Sequence, residues 1–241
     1  MATLAAWGAS DPGLVRPNNE DSFRLDEELC LALVADGMGG ASCGEVASAL
    51  TVETVVNYLR QPPVEWPPAQ LLEEAIQEAN RCVLERASGD ESCSGMGSTI
   101  VAALWRLPEI VIANVGDSRA YLWRNGVLTQ LSYDQTLVNE LRLRFGLTEQ
   151  EVSNFPHRNV LTMAVGTSAS VAVHIHELRL EAGDQILLCS DGLSGPVPDA
   201  TLAELLAVEA PLEAVVARLI EEAKARGAPD NVTAVLLRYR E

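Results

Sequence analysis

A chain of 241 residues with 48% apolar side chains can bury one sizeable core, and a single domain over 1–241 is the expectation. Its formal charge of −17 argues against nucleic acid or an anionic membrane as partner, because such surfaces recruit Lys and Arg, and it favours a monomer. No apolar run approaches the ~18 residues of a membrane span, and the start MATLAAWGASD has no basic region ahead of an apolar core, so a cytoplasmic protein is expected.

In chain order, Ser22–Leu25 and Leu29–Ala35 flank the polar turn Asp26-Glu27-Glu28 and read as a hairpin. Antiparallel pairing brings Glu20 and Asp21, at the start of one strand, beside Asp36 at the end of the other. Gly44–Tyr58 reads as a helix, and a Pro-rich break follows at Pro62, Pro63, Pro67 and Pro68. Leu71–Ala87 is a second helix, with Leu72, Ile76, Ala79 and Val83 on one face. Three strand-like runs come next, Ser98–Leu104, Ile110–Val115 and Arg119–Trp123, ending at the turn Asn125-Gly126.

Tyr133–Ser153 is polar and helical, with Thr148-x-x-Glu151 in the pattern of a capping box, and reads as a lid-like insertion rather than core. Val171–Leu180 alternates, Gln185–Cys189 is a buried strand, Leu202–Val208 and Leu212–Ala225 are helices, and Val232–Tyr239 closes the chain. Consecutive helix pairs between antiparallel strands predict an α+β protein in which two sheets pack on each other with helix pairs outside.

The five cysteines are odd in number and share no zinc-like spacing. Cys30, Cys82 and Cys189 lie in apolar runs and read as small core residues, which fits a reducing compartment. Cys43 lies near an acidic loop, where nothing lowers a thiol pKa, so no redox role is expected of it. His174 and His176, two apart on one strand, read as the half-exposed face of that strand rather than a metal pair.

The chemistry is carried by acids at strand edges. Asp36, Asp117, Asp191 and Asp230 each sit where an apolar run meets a small residue, and Glu20-Asp21 precedes the first of them. Carboxylates at a sheet edge build an oxygen-rich pocket, and Mg²⁺ or Mn²⁺ needs only a few because it retains several waters. Gly37, without a Cβ, lets its carbonyl approach an ion closely.

Asp11-x-Gly13-x-x-Arg16-x-x-Asn19-Glu20-Asp21, Val34-Ala35-Asp36-Gly37-Met38-Gly39-Gly40, Gly97-Ser98-Thr99, Asn114-Val115-Gly116-Asp117-Ser118-Arg119, Ser190-Asp191-Gly192 and Asp230-Asn231-Val232-Thr233 follow one another in order. Together they resemble the type 2C metal-dependent serine/threonine protein phosphatases (the PPM family), in their compact bacterial branch. The resemblance covers about residue 6 to residue 239, and its flap corresponds to about 133–165. It implies a four-layer αββα sandwich and hydrolysis of phosphoserine and phosphothreonine on kinase-substrate proteins. It further implies two Mn²⁺ or Mg²⁺ ions, with a weaker third, and a metal-bridging water that attacks phosphorus without a phosphoenzyme intermediate.

By the same resemblance, Asp36 bridges the ions and Gly37 supplies a carbonyl. Asp191 and Asp230 complete the other site, and Asp117, with Asp191, matches the weaker third. Glu20, Asp21 and Asn231 support the metal-bound waters, and Arg16 matches the phosphate-binding arginine, whose planar fork suits phosphoryl oxygens. The chain departs from the family at Met38, where eukaryotic members carry histidine, and at Ala41, where many bacterial relatives carry it. Protonation of the leaving oxygen then falls to a metal-bound water.

Other phosphatase chemistries lack their residues: no cysteine has Arg six positions on, and neither an Asp-x-Asp at a strand end nor a Gly-x-x-x-x-Gly-Lys loop occurs. The rival from another class is a non-catalytic sensor that keeps the fold, in which a lost metal-ligand position would be expected.

Overall fold

The computed structural model describes residues 2–39, 43–62, 64, 66–148 and 160–240. Among these residues eleven strands form two antiparallel sheets: β1 (Thr3–Asp11), β2 (Asp21–Asp26), β3 (Leu31–Met38), β4 (Gly97–Ser98), β5 (Ile100–Arg106), β6 (Glu109–Val115), β7 (Arg119–Arg124), β8 (Val127–Gln130), β9 (His174–Arg179), β10 (Gln185–Cys189) and β11 (Val232–Arg240). One sheet runs β2-β3-β5-β6-β9, with β4 added to the end of β3, and the other runs β1-β11-β10-β7-β8.

Period-two alternation explains why the central strands read as unbroken apolar runs: both of their faces are covered. In β3, Ala32 and Val34 join the core between the sheets, while Leu31, Leu33 and Ala35 pack under α1 (Cys43–Arg60) and α2 (Pro68–Gly89). In β10, Ile186 and Leu188 face the other sheet, while Leu187 and Cys189 lie under α4 (Asp199–Leu206) and α5 (Leu212–Ala225). The expected α+β sandwich of four layers is therefore the observed one. Among the described residues no helix is long and apolar enough to cross a membrane.

The structure corrects the sequence reading in four places. β1 and β8 were not expected. β1 is an edge strand of Ala, Gly and Ser among half-buried positions, and it gains its place by antiparallel pairing with β11, Thr3 opposite Arg240 through Asp11 opposite Val232. β8 returns against β7 from the Asn125-Gly126 turn. Cys30 and Cys82 are only half-buried, and of the three free cysteines Cys189 alone is core. Cys43 and Cys93 form a disulfide that ties the start of α1 to the one-turn 3-10 helix Glu91–Cys93, which removes the cysteine pattern as an argument for a reducing compartment.

α3 (Leu137–Phe145) opens the insertion, capped by Thr136, whose hydroxyl accepts from the Asn139 N–H at 3.3 Å. The insertion's root is fixed to the β6–β7 turn: the Gly116 N–H donates to Gln135 Oε1 at 2.8 Å, and the Gln135 N–H donates to the Gly116 carbonyl at 3.0 Å. Glu151 of the expected capping box, the stretch 149–159 and Ala41 lie outside the described residues.

Candidate active site

The expected hairpin sets the first part of the site. Asp21 pairs directly with Asp36 in the β2–β3 ladder, so the two carboxylates start from neighbouring backbone positions at one sheet edge. Asp36 is held through its main chain. Its N–H donates to Thr99 Oγ1 at 3.0 Å, and its carbonyl accepts from the Thr99 N–H at 2.8 Å and Ser98 Oγ at 3.1 Å. Thr99 Oγ1 in turn bonds Ser118 Oγ at 2.7 Å, linking the Asp36 strand to the turn that carries Asp117.

The second sheet supplies the rest. Asp191 begins a single helical turn directly after β10, and Asp230-Asn231 immediately precedes β11. Gly192 permits this, because a Cβ there would collide with the Asn231 carbonyl. Gly37 is required on the other side, where a Cβ would strike the Gly44 carbonyl at the start of α1. This close approach is a packing reason for glycine that the sequence argument, which considered only ion access, did not contain.

Asn231 works as a staple. Its Oδ1 accepts the Glu20 N–H at 2.8 Å, and its Nδ2 donates to the carbonyls of Pro12 and Asn18 at 2.9 and 2.8 Å. The segment carrying Arg16 and Glu20 is thereby fixed to the segment carrying Asp230. Arg16 itself donates to Asp230 Oδ2 at 2.7 Å, with its side chain 51% exposed at the rim. The Glu20 carboxylate lies against Gly44, at the start of α1.

Asp21 is buried, and its Oδ2 accepts from Ser190 Oγ at 2.7 Å and Thr233 Oγ1 at 2.6 Å, one donor just past β10 and one at the start of β11. Its Oδ1 is buried with no partner. Ser190 and Thr233 stood in the sequence motifs without a role; their signal was a hydroxyl beside each candidate acid. A second group the sequence reading missed is Asp134, which takes a bidentate contact from Arg119 at 2.7–3.1 Å, while Arg119 also donates to the Tyr121 hydroxyl at 2.8 Å.

Electrostatics register how closely the carboxylates converge. Burial, then Asp21, Asp191, Asp117 and Asp230, push the Asp36 carboxyl well above the usual carboxylate range. Burial, then the Asp230 charge, raises Asp191, whose carboxyl is within hydrogen-bond reach of Asp36. Asp117 is pushed up to about 7 by burial and then by Asp191 and Asp134, with Arg119 opposing. Asp21 rises to about 6 by burial, against the hydrogen bonds from Thr233 and Ser190, and burial also raises Glu20. Like charges brought together in a sheltered edge favour protons or cations between them.

Among the described residues no three His, Cys, Asp or Glu side chains close a metal cage on their own. Mg²⁺ and Mn²⁺ take one or two carboxylates each and keep water in the remaining positions. The unpartnered Asp21 Oδ1, the all-oxygen donor set and the mutual repulsion of Asp36, Asp191, Asp117 and Asp230 fit hard divalent cations. His174 and His176 are half-buried on β9, as expected of that strand, and His174 packs against Tyr133 with ring centroids 5.9 Å apart. His157, within the flap range 133–165, lies outside the described residues.

The αββα sandwich gathers acids from both sheets at one edge. Residues 16–237 match the family model for protein phosphatase 2C. The chain is 35% identical over 234 residues to the serine/threonine phosphatase stp of Listeria innocua, covering 95% of this chain and 93% of that protein. The crystal structure of the Mycobacterium tuberculosis serine/threonine phosphatase PstP/Ppp aligns with a TM-score of 0.91 at 36% identity, covering 99% of each chain. The catalytic domain of PstP in complex with 2 manganese ions aligns with a TM-score of 0.87 at 35% identity over the full length of both chains. The chain belongs to the protein phosphatase 2C family.

Proposed function

We propose that this chain is a protein serine/threonine phosphatase of the bacterial PPM type, hydrolysing phosphoserine and phosphothreonine in phosphorylated proteins with Mn²⁺ or Mg²⁺. The observation that carries this reading is the convergence of Asp36, Asp191, Asp117 and Asp230 from both sheets, with Arg16 at their rim. By analogy with the manganese-bound relative, we assign two ions to the site. Asp36 and the Gly37 carbonyl would hold one; Asp36 with Asp191 and Asp230 would hold the other; Asp117 with Asp191 would hold a weaker third. Such ions supply an activated water and neutralise charge on the phosphoryl group.

The chain's own residues supply position. Ser190 and Thr233 fix one oxygen of Asp21 and leave the other buried without a partner. Asn231 holds the Glu20 backbone in register with the Asp230 segment. Arg16, tethered by one arm to Asp230, keeps further guanidinium N–H groups for phosphoryl oxygens, the bidentate use that a planar fork favours. The exposed Leu143, Phe145 and Val160 around the flap supply apolar surface for the protein part of the substrate. A monomer in the cytoplasm completes the reading. The rival sensor module is disfavoured because every acidic position of the family pattern is present.

Arg16→Ala tests the phosphate assignment. We expect the KM for a phosphothreonine peptide to rise about tenfold or more, the scale of one lost charge-assisted hydrogen bond. Mn²⁺ affinity should hold or tighten, because Asp230 loses a competing cation. An unchanged KM would remove Arg16 from the phosphate site.

A further inference from the structure

At the end of the β1-β11-β10-β7-β8 sheet away from the acids lies a cavity of 840 Å³. Its floor is one cross-strand row: Trp123 pairs with Gln185, Gln185 with Arg238, and Arg238 with Ala5. One row nearer the acids, Tyr121, Leu187 and Leu236 are buried under the helices. The helix layer stops short of the floor row, because α4 ends at Leu206 and α5 starts at Leu212, and the connection between them forms the wall. Asp191 follows the far end of β10 and Asp230 precedes β11, so five or six residues of strand, roughly 20 Å, separate cavity and acids.

The cavity is lined by donors. Arg238 is held in place: Nε and Nη2 donate to Gln185 Oε1 at 3.2 and 3.0 Å, and Nη1 donates to the Ala210 carbonyl at 2.8 Å. Gln185 is itself fixed, its Nε2 donating to the Leu206 carbonyl at 2.8 Å. Arg240, two residues on and on the same face, also lines the cavity and has no carboxylate partner among the described residues. Trp123 Nε1 is buried and unpartnered, although a buried indole N–H ordinarily finds an acceptor. Glu209 is the one acid in the wall, so two arginines face a single carboxylate in a chain of net charge −17. Burial, then the like charge of Arg240, holds the Arg238 guanidinium below the usual arginine range.

We propose that this cavity is a second ligand site, which takes a small organic anion with a carboxylate or phosphate head on an apolar body. Preorganised donors with few acceptors select an oxyanion, and a cavity of this size and mixed lining suits a metabolite-sized molecule rather than a bare ion. The head pairs with Arg240 and the remaining N–H groups of Arg238. Because the site shares no residue with the acid cluster, it stands apart from the phosphatase reading.

The test follows the Trp123 indole ¹⁵N–¹H resonance, assigned with Trp123→Phe, in Mg²⁺ buffer at fixed ionic strength. Benzoate and phenylphosphonate are the probes, one for each head group. A saturable shift is expected with at least one of them, and the probe that saturates identifies the head. Arg240→Gln should weaken that binding about tenfold or more, as expected for one lost charge-assisted contact, while aryl phosphate hydrolysis stays at the wild-type rate. The proposal is overturned by the absence of a shift with both probes, by a shift that grows without saturating, or by equal affinity in Arg240→Gln.

Discussion

Asp36→Asn should lower Mn²⁺-dependent hydrolysis of an aryl phosphate by about 10²–10³-fold or more, the scale of losing one preorganised electrostatic element at a reacting centre. The fold should survive. The main chain of Asp36 is fixed by Thr99 and Ser98, contacts that the substitution leaves alone, and Asn fills nearly the same volume. The metal-free protein should be at least as stable as wild type, because a carboxyl crowded by Asp21, Asp191 and Asp117 becomes neutral at any pH. Thermal unfolding in a chelator, run beside the rate assay, separates the two effects. A variant that loses activity by unfolding, or one that retains wild-type turnover, would contradict the assignment of Asp36 as a metal-holding residue.

The largest effect on stability is expected from Arg119→Ala, at about 3 kcal/mol of destabilisation, the loss that follows when one partner of a sheltered ion pair is removed. Arg119 closes a network that joins three elements. It grips Asp134 at the root of the insertion through Nε and Nη2, and it donates from Nη1 to the fully buried Tyr121, whose hydroxyl continues to Asp199 Oδ1 at 3.2 Å. Without it Asp134 keeps the bond from Gln130 Nε2 at 2.7 Å but loses its cation, and the Tyr121 oxygen loses a donor. Arg119→Lys should recover less than half of the loss, since a single ammonium cannot make the fork. Urea unfolding at constant m-value reads both, and a loss under about 1 kcal/mol for Arg119→Ala would show the network to be dispensable.

The sequence exposed those parts of the molecule that rest on periodicity and on short motifs. The hairpin that sets Asp21 opposite Asp36 was readable because Leu29–Ala35 is an apolar run bounded by polar turns, and its pairing follows from chain direction alone. α5 was readable to the residue, since Pro211 stops anything before it and an amphipathic pattern fills the rest. β1 was not, because its run of Ala, Gly and Ser carries little strand preference and its stability comes from β11, more than two hundred residues away in sequence.

The same distance hides the contacts that arrange the site. Asp230 was legible as an acid beside a turn, but its pairing with Arg16 was not, and neither was the convergence of Ser190 and Thr233 on one oxygen of Asp21. The Cys43–Cys93 pair likewise depends on how α1 and the segment before β4 fold back on each other, which no spacing rule reports. The far cavity left no motif at all: its floor is a row of residues from four separate strands.

If the sheet-edge acids hold the divalent cations on which phosphoester hydrolysis depends, phosphate release from a phosphothreonine peptide follows Mn²⁺ as it is titrated into chelator-treated protein. The rate should start near zero, rise to saturation with Mn²⁺, and fall back when EDTA is added in excess. Release that proceeds at full rate in EDTA, or that never appears at any Mn²⁺ concentration in folded protein, would contradict it.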